Sequence, residues 1–463
     1  MSNFTRHDNV VASFVRQITL CCMLAWLTAC AQQRAPMLQA PDLPETWQAN
    51  NTAEPVLSHW LDSLRAPYLH DLVELALNNN YQLAQQALQV NIAQRRVGVV
   101  RADRLPTLNV SLSGQRFRPL GDFNAISEQV EVSANIGFEL DLWGKLSDAQ
   151  RGAELDLAAE KMRYLSAERR LVAQTISSAF NVVSARQLQD VFNQRLDNLA
   201  QGLDVIEKGY RSGLNEALDV YLAQNTVEQE RANVANQRQV SFEATTNLEL
   251  LLAHYPSAQY TVAEPLPVLR PLPQIGIPSD LLKRRPDIQS AWLDLLATDA
   301  ALAVAHKNRF PSLDLSGSAR DAASAISRLV NGGDLAFSAA ASLFQPLFQG
   351  GRLSALEAQA RLRVAQSEQR YLEVVFAAFA EVENELSRAM SLQDRYNAFL
   401  KAETNAESAL TLAFAQYQRG LVNFTTVLES QRRAFDAQTT VVQLRNQLLQ
   451  SRVALLLALG GNF

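Results

Sequence analysis

The residues that could hold a metal or move a proton are few and scattered. His59, His70, His254 and His306 fall at no spacing that brings ligands together on one helix face or hairpin. No Gly-x-Ser-x-Gly turn presents a nucleophile, and no glycine-rich loop ending in Gly-Lys-Ser/Thr cradles a phosphate. The cysteines, Cys21, Cys22 and Cys30, sit together near the N-terminus, so the long remainder has neither a catalytic thiol nor the means to form a disulfide. These residue types argue against an enzyme and against a metal centre. The chemistry that remains is chemistry performed on Cys30 and whatever arrays of charge the fold repeats.

Arg6, His7 and Arg16 precede an apolar run at 18–29, the layout of a secretory signal segment. The run ends in Leu27, Thr28, Ala29 and Cys30, which resembles the lipobox at which lipoproteins are cut and acylated. Cys30 is therefore expected to become a lipidated first residue, its covalent lipid the only non-protein group. The residue after the cysteine is Ala31 rather than the aspartate that marks inner-membrane retention, which implies sorting to the outer membrane. Each buried methylene of such a lipid adds roughly 0.8 kcal/mol, so several acyl chains anchor the chain without spanning the bilayer.

The 463 residues carry 42 Lys+Arg against 47 Asp+Glu, a net charge of -5 that gives a nucleic acid no footing. Beyond the first thirty residues no uncharged apolar run approaches the roughly 20 residues of a spanning helix. A chain of this kind crosses a bilayer only as a β-barrel.

Self-similarity organises the remainder. Tyr210, Gly213, Leu214, Val220, Gln224 and Leu250 recur as Tyr417, Gly420, Leu421, Val427, Gln431 and Leu457, all 207 positions on. Arg104, Pro106, Leu108 and Ser111 recur as Arg309, Pro311, Leu313 and Ser316 at an offset of 205, and the two extra residues fit an insertion at Gln349 and Gly350. The expected organisation is a signal segment at 1–29, a lipidated extension at 30–60, one repeat at 61–255, a proline-rich linker at 256–278 and a second repeat at 279–463. Each repeat reads as a helix, two strands, a very long helix, a turn and another helix. No proline interrupts 120–255 or 347–463, so both stretches can be almost wholly helical. A helix over Lys145–Arg211 would be about 100 Å long.

The strand pattern is clearest at 130–142. Val130, Val132, Ala134, Ile136, Phe138, Leu140 and Leu142 alternate with Glu131, Ser133, Asn135, Gly137, Glu139 and Asp141, giving one apolar and one polar face. Partner segments at 108–112, 313–319 and 335–344 alternate more loosely, for four strands per chain. Four strands cannot close, because the smallest membrane barrels have about eight. Copies of the chain must pool their strands in a ring. Where strand passes to helix, Trp143 and Gly144 in the first repeat, and Gly350 and Gly351 in the second, supply an interfacial aromatic and the positive φ of a tight turn. Gly213 and Gly420 stand where long helices must reverse. Pro286 and Asp287, after Arg284 and Arg285, suit the first turn of a helix.

Several stretches together resemble the outer-membrane factors of tripartite efflux systems, in the NodT-type lipoprotein subgroup. They are Glu139-Leu-Asp-Leu-Trp-Gly-Lys145, Leu281-Leu-Lys-Arg-Arg-Pro-Asp-Ile288, Phe310-Pro-Ser-Leu-Asp-Leu-Ser-Gly317, Pro346-Leu-Phe-Gln-Gly-Gly-Arg-Leu353 and Tyr417-Gln-Arg-Gly-Leu421. The resemblance implies a mainly α protein with a membrane β-barrel: a homotrimer whose twelve strands are continued by a helical tunnel into the periplasm. It implies a passive exit for small molecules, partnered by a periplasmic adaptor and an inner-membrane pump of the RND type. Gly213, Leu214, Gly420 and Leu421 would then form the tip that docks the adaptor. Asp219 and Glu429 would be gate candidates, forming either an acidic, cation-favouring constriction or plain solvated helix faces. Val422 and Thr426 stand where an arginine and an aspartate would be expected, with Arg211 or Arg419 as substitutes. A duct for secreted polypeptides and a periplasmic coiled-coil scaffold are the alternative readings.

Overall fold

The computed structural model describes residues 47–48, 61, 64, 66–118, 127–262, 265–267, 278–324 and 335–461. The chain divides into Met1–Asp42 and Leu43–Phe463, and every described residue belongs to the second unit. Cys30, the signal segment, most of the 30–60 extension and much of the linker lie outside the described residues.

The first repeat runs α1 (Tyr68–Asn79), α2 (Tyr81–Ala102), β1 (Thr107–Phe117), β2 (Ser127–Leu140), α3 (Lys145–Arg211) and α4 (Ala217–Leu251). The second runs α5 (Leu281–Arg284), α6 (Pro286–Lys307), β3 (Ser312–Ala323), β4 (Ala336–Phe344), α7 (Arg352–Gln418) and α8 (Phe424–Ala458). Helices α3 and α7 have 67 residues each, α4 and α8 have 35 each, and each pair starts 207 positions apart. The sequence expectation of a single opening helix per repeat needs correction, because a break splits it in both halves. At the first break Asn80 accepts from the backbone N–H of Gln82 (2.9 Å) and Leu83 (3.0 Å) while its amide donates to the Leu251 carbonyl (3.0 Å). It thereby starts α2 and pins it to the end of α4. Arg285 holds the corresponding place before Pro286, the first residue of α6.

The largest core lies where α1 crosses the middle of α3. Leu69, Leu72 and Ala76 meet Val172, Ile176 and Phe180, closed by Leu248 and Leu252 from the end of α4 and by Leu449 and Val453 of α8. A second cluster packs Leu281 and Ile288 against Val375, Val382 and Leu455. Leu248 and Leu455, 207 positions apart, are both fully buried, so the repeat extends to the packing. Helix α6 is long and apolar enough to cross a membrane by length and composition alone, yet it lies against α3 and α7 with Ile288, Leu295, Ala297 and Ala300 buried.

The four strands form one antiparallel sheet in the order β1-β2-β3-β4, the two repeats meeting at β2 and β3. Register sorts the side chains into two faces. Leu108, Val110 and Leu112 oppose Ile136, Ala134 and Val132, and Phe138 and Leu140 oppose Leu315 and Leu313, which in turn oppose Ala341 and Leu343. This apolar face is open, with Val110 at 72% and Phe337 at 76% of full exposure. The other face carries hydroxyls, amides and charges: Ser111 and Ser133 hydroxyls 2.8 Å apart, Ser318 and Ser338 2.7 Å apart, and an Arg320–Glu131 ion pair at 3.4 Å. The strand expected over 130–142 ends at Leu140, because Asp141 turns back to the start of α3.

Candidate functional site

Two regions gather the residues singled out by sequence, and each begins from a chain reversal. At the first, Asp141 accepts from the backbone N–H of Leu146 (3.0 Å) and Ser147 (2.9 Å) and from the Ser147 hydroxyl (2.6 Å). Burial works to raise its pKa, but these donors and Arg104 leave it below the ordinary carboxylate value. Gly144, with φ of 72°, lets the chain swing into α3. The turn is fastened to the second repeat. The Trp143 indole donates to the Pro311 carbonyl at 2.7 Å and packs edge-on against Phe310, while Lys307 binds the Gly144 carbonyl (3.2 Å) and Asp148 (2.5 Å). Nearby, buried Glu357 accepts from Arg309 (2.6 Å) and Arg361 (3.4 Å), with His306 Nδ1 3.2 Å away. A cavity of about 340 Å³ lies at this junction, lined by Trp143, Phe310, Phe344 and Leu356 among others. The corresponding turn of the second repeat, with Gly350 and Gly351 at φ of 57° and 83°, has no such cover: Leu347 and Phe348 are 92% and 88% exposed.

The second region is the far end of the helices, where Gly213 (φ 75°) and Gly420 (φ 72°) end α3 and α7. Leu214 N–H reaches back to the Gly209 carbonyl (2.8 Å), and Leu421 N–H to that of Gln416 (3.0 Å), the six-to-one bond of a glycine-terminated helix. Both leucines point outward, so the tip offers apolar side chains to solvent. Beneath them Ile206, Ala223, Ala413, Phe424 and Val427 form a small core that ties the two hairpins together. The Tyr417 hydroxyl bonds Asn215 Oδ1 (3.2 Å), and the Asn215 amide donates to the Ile206 carbonyl (3.2 Å).

The gate candidates occupy different surroundings. Asp219, partly exposed, sits in the first turn of α4 and accepts from the Glu216 backbone N–H at 3.4 Å. Glu429 is held by Arg432 (2.9 Å) and Arg433 (2.7 Å) of its own helix, which bring its pKa down to about 2. Arg432 also reaches Asp436 (3.3 Å), so this patch balances its own charge. The 207-residue partner of Asp219 is Thr426, whose hydroxyl bonds Asn423 Oδ1 (2.9 Å). Arg211 pairs at 3.9 Å with Glu207 one turn back, and Arg419 is the residue at which α7 ends.

Sequence reasoning missed two networks. Arg195 of α3 binds fully buried Glu230 of α4 (3.1 Å) and Asp436 of α8 (3.6 Å), and lies 5.4 Å over the Phe435 ring. Its repeat positions are Ala402 and Ala437, so the duplication gave no hint of it. Arg285, read from sequence only as part of the capping and packing at the start of a helix and not as an ion-pair centre, binds Asp287 (2.7 Å), Glu381 (2.6 Å) and the Ala458 carbonyl (2.9 Å), tying α6 to α7 and α8. Its pKa is raised: burial acts to lower it, but Asp287 and Glu381 prevail. Among the described residues no group of three or more His, Cys, Asp or Glu is placed to hold a metal.

Comparison with known proteins places this geometry. The model of a family described as outer membrane efflux protein matches residues 72–254 and again 277–461. The solvent efflux pump outer membrane protein SrpC of Pseudomonas putida is 30% identical over 406 residues, covering 86% of each chain. The pyoverdine export outer membrane protein OpmQ of Pseudomonas aeruginosa is 29% identical over 456 residues, 96% of this chain and 95% of that one. A crystal structure of CusC, described in terms of transmembrane channel formation, superposes with a TM-score of 0.80 over 92% of this chain and 99% of that one, at 27% identity. Matched in both repeats and along nearly its whole length, the chain belongs to the outer membrane efflux protein family.

Proposed function

We propose that three copies of the chain close their sheets into a twelve-stranded barrel in the outer membrane, continued by the long helices as a duct through which small molecules leave the cell. The observation that carries this reading is a sheet with one open apolar face, one polar face and two unpaired edges, β1 and β4. In hydrocarbon such edges must be paired, and only further strands can pair them. An apolar exterior and a polar lumen then follow from the register. Cys30 carries the lipid that secures the chain to the membrane. No residue need perform chemistry: an inner-membrane pump of the RND type supplies the energy, and a periplasmic adaptor meets the tip at Gly213, Leu214, Gly420 and Leu421.

The relatives are named for cargoes as unlike as pyoverdine, cations and solvents at similar identity to this chain. That spread supports a duct that accepts what its pump delivers. The test is the mass of the purified protein in detergent, together with its conductance in planar bilayers. A trimer that opens discrete steps is expected. A monomer, or a trimer that passes no current under any voltage or pH, would overturn the duct and favour a scaffold.

A further inference from the structure

We infer that Leu347 and Phe348 of one copy dock on the α2–β1 junction of the next, Phe348 packing against Leu105 as Trp143 packs against Phe310 within the chain. The inference rests on the ring proposed above and adds a contact to it. Within one chain the turn after β2 lies on the α6–β3 junction, through Trp143, Phe310 and the Pro311 carbonyl. In a closed ring β4 pairs with β1 of the next copy as β2 pairs with β3, since strand directions alternate throughout. The turn after β4 then arrives at the α2–β1 junction of that copy.

The receiving surface is already built. Residues 101–106 repeat the backbone turn of 306–311: Arg104 and Leu105 N–H bind the Arg101 and Ala102 carbonyls, as Arg309 and Phe310 bind those of His306 and Lys307. Phe310 is half-buried, whereas Leu105 is 59% exposed. Offsets of 205 align Trp143 with Phe348, Phe310 with Leu105 and Pro311 with Pro106. Helix α6 is packed against both α3 and α7, while α2 is packed against α3 and leaves Leu88, Ile92 and Val99 exposed. Leu362, 72% exposed on α7, offers an apolar surface that the ring would bring to that stripe. The Lys307–Asp148 ion pair has Ala102 and Ala355 at its repeat positions, so the contact between copies is apolar where the one within the chain is ionic.

The experiment combines Phe348→Cys with Leu105→Cys in the full chain, treated with a short bismaleimide and run under denaturing conditions. Covalent trimers are expected from the double variant, and none from either single variant. Light scattering on the same sample separates the two ways of failing. A trimer without cross-links overturns this contact and leaves the ring, with reaction of the Phe348→Cys thiol with a lipid-soluble maleimide assigning the turn to lipid instead. A monomer overturns the ring itself. Independently, Phe348→Trp is expected to raise the temperature at which trimers dissociate, by offering the Pro106 carbonyl an indole donor as Trp143 does that of Pro311, and Phe348→Ala to lower it. Unchanged dissociation in both variants counts against the contact.

Discussion

Glu249 is nearly completely buried, yet ionised, because the chain beyond α4 folds around it. Its carboxylate accepts from the backbone N–H of Ala258 (2.8 Å), Gln259 (2.9 Å) and Tyr260 (3.0 Å) and from the Ser257 hydroxyl (3.3 Å). Burial raises its pKa, but the four donors outweigh burial and leave the value depressed. Replacing it with alanine strands these donors, at a cost of about 3 kcal/mol for hydrogen bonds to a charge. The sign follows from linkage: a carboxylate depressed in the folded state stabilises above its unfolded pKa of about 4.3, and that contribution fades as pH falls through the folded value. Acid unfolding followed by circular dichroism should therefore show Glu249→Ala less stable at neutral pH, with the difference shrinking at low pH. At the tip the two gate candidates should separate. Asp219→Asn keeps the hydrogen bond to Glu216 but removes the charge, so the reversal potential in a salt gradient should move towards zero selectivity. Glu429→Gln instead leaves Arg433 without its partner and Arg432 with Asp436 alone, a net gain of one positive charge that should oppose cations. Identical reversal potentials in wild type and Asp219→Asn would reduce Asp219 to a capping residue. Since the pKa of Glu429 is about 2, conductance changes between pH 7 and 4 belong to other groups. The two gate carboxylates and the arginines one turn beyond Glu429 are legible in sequence, since residues three and four apart share a helix face; the shell around Glu249 is not, because its donors lie in an irregular segment 9 to 11 residues on.

At the scale of elements the sequence was far more legible, and for physical reasons. An unbroken run without proline, with apolar residues at helical spacing, can hardly be anything but helix, and α3 spans Lys145–Arg211 as expected. Alternation in β2 was readable because one face meets a different solvent from the other. The break at Asn80 was not, because the interaction that fixes it, with the Leu251 carbonyl, joins residues 171 positions apart. The strand-to-helix turns were expected to be equivalent, but one is fastened and the other is bare. Alanine at Gly144 must adopt φ near 72° and place its Cβ 3.2 Å from Lys307 Nζ, whereas at Gly351 nothing among the described residues lies within 4 Å. A left-handed alanine costs roughly 1 to 2 kcal/mol. Thermal unfolding should show Gly351→Ala losing about that much, and Gly144→Ala losing more through the displaced lysine.

At the scale of the molecule, duplication sets the plan and departures from it mark where a chain meets itself or a copy. Equal helix lengths in the two repeats bring both hairpin turns to one level, where a shared core joins them. The sheet's edges tell a different story. From Leu335 to Phe344 the chain reads Leu-Ala-Phe-Ser-Ala-Ala-Ala-Ser-Leu-Phe, with no charge, proline or glycine, and all of β4 is exposed. A soluble protein blunts an edge of that kind with lysine, proline or a bulge, because it otherwise templates pairing with any strand at hand. In the ring proposed above, this bare edge is the one that β1 of the next copy pairs. If that ring is the working form, a chain that has not yet joined it carries a segment of the kind that seeds cross-β stacking, and its survival becomes a race between finding its own copies and being held, aggregated or degraded.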